Sequence, residues 1–214
     1  MENTTALTMS VINTACVMMV IAYLVIRTRT NLDILEKTVR KKDIAILTVL
    51  FGFFSIYAGM NAIPVHIGVV SLRHSGPIIG GLVGGPVVGV GAGLIGAADR
   101  LLQAGMVGSW KSAVLALVLA GLFAGLYSKH RKGKGIVGVK EAVIFTFLYE
   151  VFAGGLTFLF APTFESAMLL EQQVRLPLII GNVVAVSIFF FFVKNLIEER
   201  MNKNIKEQIE HELT

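Results

Sequence analysis

The sequence predicts an all-α membrane protein with five transmembrane helices plus a Gly-rich re-entrant hairpin of two half-helices. Three observations predict this class: an apolar composition, six apolar runs of membrane-spanning length, and the clustering of basic residues. Of the 214 residues, 55% are hydrophobic and only 15% are charged, and the mean hydropathy is +0.75. A soluble globular domain has a lower hydrophobic fraction and a higher charged fraction than this chain.

The apolar runs are each close to the roughly 20 residues that a helix needs to cross the hydrocarbon of a bilayer. They cover residues 6–26, 44–63, 76–98, 112–127, 142–161 and 176–193. The first run is predicted to be a retained anchor rather than a signal peptide. Residues 1–10 carry no Lys or Arg, and no small-residue cleavage site follows them.

The basic residues distinguish two topologies for these runs. Fifteen of the 19 Lys and Arg residues lie in three clusters: between the first two runs, between the fourth and fifth, and after the sixth. The positive-inside rule places short basic loops in the cytoplasm. If all six runs cross, ten basic residues lie inside and nine outside; if residues 76–98 dip in and return, 15 lie inside and four outside. The count favours the re-entrant topology, with the N-terminus outside and the C-terminus cytoplasmic.

The third run also has the composition of a hairpin, which we assign to residues 76–100. Its sequence, GPIIGGLVGGPVVGVGAGLIGAA, contains nine Gly, with Gly84-Gly85-Pro86 near the middle. Pro86 lacks a backbone N–H and suits the first turn of a new helix, so half-helices are predicted at about 77–83 and 86–98. Ser75 is predicted to be the N-cap of the first half. The alternative is a single, tightly packed spanning helix.

A re-entrant hairpin brings Arg73 and Arg100, which flank it, close together on the extracellular side. Arg offers a planar fork of donors that binds carboxylates bidentately, and the N-terminus of the first half-helix adds a partial positive charge. The pair is therefore a candidate site for a small anion. The alternative is that Arg100 pairs with Asp99 or snorkels, and that Arg73 is an interfacial anchor.

Glu150 lies in the middle of the fifth run, where a carboxylate costs at least about 2.5 kcal/mol on insertion scales. It therefore needs a partner, and the candidates are Arg73, Arg100, Asn182 and the neighbours of Tyr149 on the next turn. A structural clamp and a ligand-responsive switch both suit this position. Asn182 in the last run is predicted to hydrogen-bond between helices, and both residues are candidate members of the ligand site.

After the last run, Ile197, Met201, Ile205 and Ile209 recur every four residues with charges between them. This pattern predicts an amphipathic cytoplasmic signalling helix over 198–214, following a transmembrane sensor domain over 1–197. The signalling helix is expected to pair with its twin in a homodimer.

No motif in the sequence predicts catalysis. It contains no kinase ATP-site signature, P-loop, cyclase motif or H-E-x-x-H, and His66 and His74 have no nearby Cys or carboxylate that would complete a metal set. The net charge of +5 belongs to membrane-flanking loops, so no nucleic-acid partner, cofactor or metal is expected. Either an output domain has been cut away or the chain signals through a separate partner.

Together these residues resemble a known family, the five-transmembrane receptor domain of the LytS/YhcK type, from about residue 10 to 197. The most specific part is a pattern like N-x-R, then G-L-[LV]-G-G-P-x-V-G, then G-L-I-x-G-x-x-R. In this chain it is SLR at 71–73, GLVGGPVVG at 81–89 and GLIGAADR at 93–100. Glu150 and the LPLIIGN segment are weaker matches.

That domain is the membrane sensor of some bacterial histidine kinases and diguanylate cyclases. The resemblance implies a receptor in a bacterial inner membrane with a cytoplasmic kinase or cyclase output domain. It also implies that the ligand is a small extracellular carboxylate, a class that includes pyruvate. Ser109 and Ser112 lie near where the family places small polar residues that line the pocket. Asp99 departs from the pattern, since it sets a carboxylate beside Arg100. Whether it neutralises Arg100 is open; if it does, ligand preference would shift away from a simple monoanion.

The competing hypothesis is a small-solute transporter or substrate-capture subunit, because broken helices that meet at mid-membrane also build carrier sites. A transporter should contain a second broken helix. No second Gly-Gly-Pro segment occurs in the sequence, and FAGG at 152–155 is the nearest candidate.

Overall fold

A computed structural model describes residues 41–65, 68–103, 110–131 and 137–212, together with positions 9, 13, 16, 17, 20, 21 and 23. The described positions between 9 and 23 are helical, but most of the first predicted span, 6–26, lies outside the described residues.

Five helices and one short β-hairpin follow in chain order. The β-hairpin consists of two antiparallel strands in which Ile63 pairs with Val70. The elements are α1 Lys41–Met60, β1 Ile63–Val65, β2 Gly68–Val70, α2 Ser75–Leu102, α3 Trp110–His130, α4 Val139–Phe160 and α5 Phe164–Glu212.

The helix α2 reverses direction near its middle. Gly85 has φ 81° and ψ −171°, a non-helical conformation inside α2, and this region of backbone space is essentially restricted to glycine. A Cβ on Gly76 would lie 3.2 Å from the Ser55 Cβ, and one on Gly96 would lie 3.0 Å from the same atom. A straight helix would place Gly76 and Gly96 about 30 Å apart, so the two halves of α2 lie side by side.

Glycines let this hairpin pack tightly between α1 and α3. A Cβ on Gly81 would lie 2.7 Å from the Gly121 carbonyl oxygen on α3, and one on Gly52 of α1 would lie 2.8 Å from the Ile95 Cβ. Backbones can approach this closely only where side chains are absent, as in the small-residue interfaces of membrane helices. The core is completed by aromatic residues of α1 and α5, where Phe51 and Phe189 meet edge to face with ring centroids 5.8 Å apart.

The N-cap prediction for Ser75 is wrong. The helix begins at Ser75 itself, and His74 occupies the cap position without a side-chain cap hydrogen bond. The Ser75 hydroxyl instead donates to the Leu72 carbonyl, and the Ser75 N–H donates to Asn182 Oδ1 at 3.1 Å. A side chain from α5 therefore satisfies the first turn of the hairpin.

Five described helices, α1 to α5, are long and apolar enough to cross a membrane, which confirms the all-α membrane class. They are not the same five as the predicted spans. The described set includes α2, whereas the prediction counts the first run, 6–26, and makes α2 re-entrant.

The last helix, α5, is continuous from Phe164 to Glu212 although Pro177 lies inside it. Transmembrane helices tolerate an internal proline where neighbouring groups satisfy the freed carbonyl. The predicted signalling segment is thus covalently and helically continuous with the part of α5 that packs in the bundle.

Candidate functional site

A cavity of about 90 Å³ lies at the open end of the hairpin, between α3, α4 and α5. A cavity of this size has room for several waters or one small solute. Its charged and polar lining includes Arg73, His74, Arg100, Ser112, Glu171 and Arg175. The reversal at Gly85 is what brings Arg73 and Arg100 to the same cavity.

Arg73 is a buried cation with partners on the returning half of the hairpin. Its Nη1 lies 2.8 Å from Asp99 Oδ2, outside hydrogen-bond geometry, so this contact is ionic. Its Nη2 donates to Gln103 Oε1 at 2.9 Å. Burial lowers the pKa of the Arg73 guanidinium, and the Asp99 carboxylate raises it again. Asp99 thus supports the charged form of Arg73.

Arg100 is equally buried, with 5% of its surface exposed, and it differs from Arg73 in its partners. Among the described residues, its Nε is buried without a hydrogen-bond partner, and its guanidinium forms no ion pair within 4.0 Å. Asp99, the carboxylate that the sequence sets beside Arg100, makes its ion pair with Arg73 instead. A buried guanidinium nitrogen without a hydrogen-bond partner is costly, so Arg100 offers the cavity a cation available to an anion.

The two predicted serines have different outcomes. Ser112 is buried on α3 and lines the cavity that Arg73 and Arg100 also line, and its role in ligand binding stays a prediction. Ser109 lies outside the described residues, so its place in the site stays a prediction.

Glu150 is completely buried, with 0% exposure, and its partners are not those the sequence suggested. Its Oε1 lies 2.8 Å from His74 Nδ1, and its Oε2 accepts a hydrogen bond from Arg175 Nη1 at 3.3 Å. The prediction of Arg73, Arg100 or Asn182 as its partner is therefore wrong. Arg175 reaches Glu150 because α4 and α5 approach closely at Gly154, where a Cβ would lie 2.8 Å from Arg175 Nε.

His74, Glu171 and Arg175 complete an ion network that sequence reasoning missed. Glu171 accepts two parallel hydrogen bonds from Arg175, at 2.5 Å from Nε and 2.8 Å from Nη2. One sequence signal was present, because Glu171 and Arg175 are four residues apart and so share a helix face. Nothing in the sequence pairs His74 with Glu150, since the contact joins distant segments.

Asn182 lies next to this network rather than among the residues that line the cavity. Its Oδ1 accepts from the Ser75 N–H, and its Nδ2 donates to the Leu178 carbonyl at 3.1 Å. The predicted interhelical hydrogen bond of Asn182 is thus observed. A direct role of Glu150 or Asn182 in ligand binding stays a prediction.

Chemically, the arrangement suits recognition of an anion. Three guanidiniums of the described residues line the cavity. Arg73 and Arg175 are held by carboxylates, whereas Arg100 forms no ion pair with another described residue. In a site shielded from water, an oriented guanidinium attracts an anion more strongly than at a surface.

Comparison with known proteins identifies the family. The family model 5TM-5TMR_LYT, described as the 5TMR of 5TMR-LYT, matches residues 26–196. The matched range contains α1 to α4 and most of α5. No solved structure matches the chain.

Curated relatives are all much longer sensor proteins. The chain is 28% identical to the sensor histidine kinase BtsS of Escherichia coli K12 over 81% of its own length and 31% of that protein. It is 25% identical to the sensor histidine kinase YpdA of Escherichia coli K12, over 82% of the chain and 31% of that protein. It is 21% identical to the sensor protein LytS of Oceanobacillus iheyensis, over 85% of the chain and 34% of that protein.

The chain thus spans about a third of the length of the relatives that it matches. All the residues that line the cavity lie within the matched range, 26–196. The chain belongs to the 5TMR-LYT family, as a multi-pass membrane sensor domain of the kind found in LytS-like histidine kinases.

Proposed function

We propose that this domain senses a small extracellular carboxylate, bound in the cavity by Arg100 with Arg73 and Ser112 beside it. One observation carries the proposal: Arg100 is a buried guanidinium without an ion-pair partner among the described residues, and it faces a cavity. A carboxylate would satisfy it through the bidentate geometry that arginine favours. A cavity of about 90 Å³ suits a small ligand such as pyruvate.

The proposed orientation places the cavity outside the cell. Both ends of α2 meet, since Arg73 lies 2.8 Å from Asp99, and this contact supports a hairpin that enters the membrane and returns to the same side. The basic clusters then become cytoplasmic, as the positive-inside rule favours. In this topology the N-terminus is extracellular and α5 carries the signal into the cytoplasm.

The proposed output is a cytoplasmic kinase or cyclase domain that acts downstream of α5 in a homodimer. The names of the relatives, sensor histidine kinases and sensor proteins, and their greater length support this part. The exposed apolar side chains of Met201, Ile205 and Ile209 on α5 suit pairing with a second copy.

The test is a thermal-shift screen of small carboxylates on the purified chain in detergent. At least one carboxylate should raise the unfolding midpoint of the wild type. The response should be lost in Arg100→Ala and weakened in Arg73→Ala. The matched control is Arg131→Ala, which removes an arginine paired with Glu141 at 2.8 Å on the opposite side of the bundle, and which should respond as the wild type does.

Three results would contradict the proposal. The first is that no carboxylate stabilises the wild type, and the second is that Arg100→Ala responds as Arg131→Ala does. The third is uptake of labelled carboxylate into vesicles that contain only this chain, because that result would establish the competing transporter function.

A further inference from the structure

The ion network of His74, Glu150, Glu171 and Arg175 joins the cavity to the helix that leaves the membrane. Three of these residues line the cavity, while Glu150 lies behind them, fully buried. We call this set the Glu150 network. It links three separate elements: the residue that precedes α2, the middle of α4, and the first third of α5.

Within the Glu150 network, Arg175 contacts carboxylates on two different helices and also lines the cavity. It donates two hydrogen bonds to Glu171 on its own helix and two to Glu150 on α4, one of them to the Glu150 carbonyl at 2.9 Å. It also faces the cavity that Arg100 faces. An anion in that cavity therefore competes with both carboxylates for the Arg175 guanidinium.

The other side of the network is anchored to the hairpin. His74 Nδ1 lies 2.8 Å from Glu150 Oε1, and the adjacent Ser75 N–H is bound by Asn182 of α5. Because His74 directly follows Arg73, a displacement of Arg73 by ligand would change the position of His74 relative to Glu150. Ligand binding would therefore act on the network at two residues, Arg175 and His74.

We infer that Arg175 is a positioning residue that transmits occupancy of the cavity to α5, with Glu150 as the buried point against which it moves. This inference rests on the proposed function. A ligand shifts a conformational equilibrium only through its different affinity for two arrangements. Here the two arrangements differ in how Arg175 divides its donors between the anion, Glu150 and Glu171. Since α5 is one helix as far as Glu212, a shift at Arg175 reaches the cytoplasmic segment.

The experiment separates the response from the affinity. Spin labels are placed at Lys129→Cys, on the exposed end of α3, and at Met201→Cys, on the exposed part of α5, in a Cys16→Ser background. Distances between the labels are measured by double electron–electron resonance while pyruvate is titrated to saturation. Saturation makes the size of the distance change independent of any change in Kd.

Pyruvate should shift the distance distribution in the otherwise unmodified chain. Arg175→Lys keeps the charge but lacks the fork that holds two carboxylates, and Glu150→Gln keeps the shape but removes the charge. Each should reduce the saturated shift by about fivefold or more. Glu141→Gln, which breaks the separate Arg131–Glu141 pair, should leave it unchanged. A full shift at saturation in both network variants would overturn the inference.

The network can also be tested without any ligand. Failure of this inference can therefore be distinguished from failure of the proposed function. If no carboxylate stabilises the wild type, a double-mutant cycle of His74→Gln and Arg175→Lys is read from the thermal unfolding midpoints. Both residues contact Glu150, so their effects should be non-additive. Strictly additive effects would show that the network does not connect the hairpin with α5.

Discussion

At the scale of single residues, Arg73 and Arg100 show how tertiary contacts divide two similar side chains between different roles. Both flank the hairpin and both are buried, but Asp99 forms its ion pair with Arg73. The carboxylate that the sequence sets beside Arg100 thus leaves Arg100 available. With one of two neighbouring arginines neutralised, we expect a monoanion to match the charge of the site better than a dianion. This is the opposite of the shift away from a monoanion that the sequence suggested for Asp99.

The first prediction concerns this balance of charge. Asp99→Asn should free Arg73 for ligand and raise the affinity for a small dicarboxylate such as malonate relative to pyruvate by about tenfold, or ~1.4 kcal/mol. The ratio of the two Kd values is measured by isothermal titration calorimetry. Glu141→Gln removes a comparable carboxylate from the Arg131 pair and should leave the ratio unchanged. An unaltered ratio in Asp99→Asn would contradict the assigned role of Asp99.

At the scale of elements, the hairpin depends on glycine for two separate reasons. Along its faces, glycine permits contact between backbones, as where Gly89 meets Gly121 of α3. At its turn, glycine supplies a positive φ, and Gly85 has open space around the position of a Cβ. The two reasons predict different costs on substitution.

The second prediction tests the contact between α2 and α3. A Cβ on Gly121 would overlap the Gly89 carbonyl oxygen and lie 2.8 Å from the Val90 nitrogen. Because backbone atoms cannot move aside cheaply, Gly121→Ala should lower the free energy of unfolding by about 1–3 kcal/mol. Thermal unfolding in detergent measures the effect.

The control for this substitution is Gly155→Ala on α4. Nothing lies within 4 Å of a Cβ at Gly155, and alanine is the better helix former by about 1 kcal/mol. Gly155→Ala should therefore leave the unfolding midpoint unchanged or raise it. If both variants lose stability equally, the α2–α3 contact is not the cause.

The third prediction tests the turn. Gly85→Ala meets no neighbouring atom but must hold φ near 81°, so it should cost about 1–3 kcal/mol through backbone strain alone. The same thermal measurement applies, again with Gly155→Ala as control. A wild-type midpoint for Gly85→Ala would mean that the chain reverses by another route.

At the scale of the whole molecule, the hairpin decides the topology, because it sets which loops share a side of the membrane. If α2 enters and returns, the end of α1 and the end of α2 face the same compartment. If α2 crosses as a single helix, they face opposite compartments.

The fourth prediction is read from cysteine accessibility in a Cys16→Ser background. Met60 and Leu102 are 76% and 89% exposed, and cysteines at both positions should react with a membrane-impermeant maleimide added to intact cells. Cysteines at Lys129 and Lys203 should react only after permeabilisation. Labelling of Met60→Cys and Leu102→Cys from opposite sides would contradict the re-entrant topology.

The sequence by itself determined the membrane class, the approximate positions of the apolar runs from residue 44 onward, the broken character of residues 76–98 and the candidacy of Arg73, Arg100 and Ser112. These follow from hydropathy and from the backbone chemistry of Gly and Pro, which act locally. Only the tertiary structure decided which arginine lacks an ion pair among the described residues and what compensates Glu150. The His74–Glu150 contact joins residues 76 positions apart, and its geometry depends on how three helices pack, which no local pattern encodes.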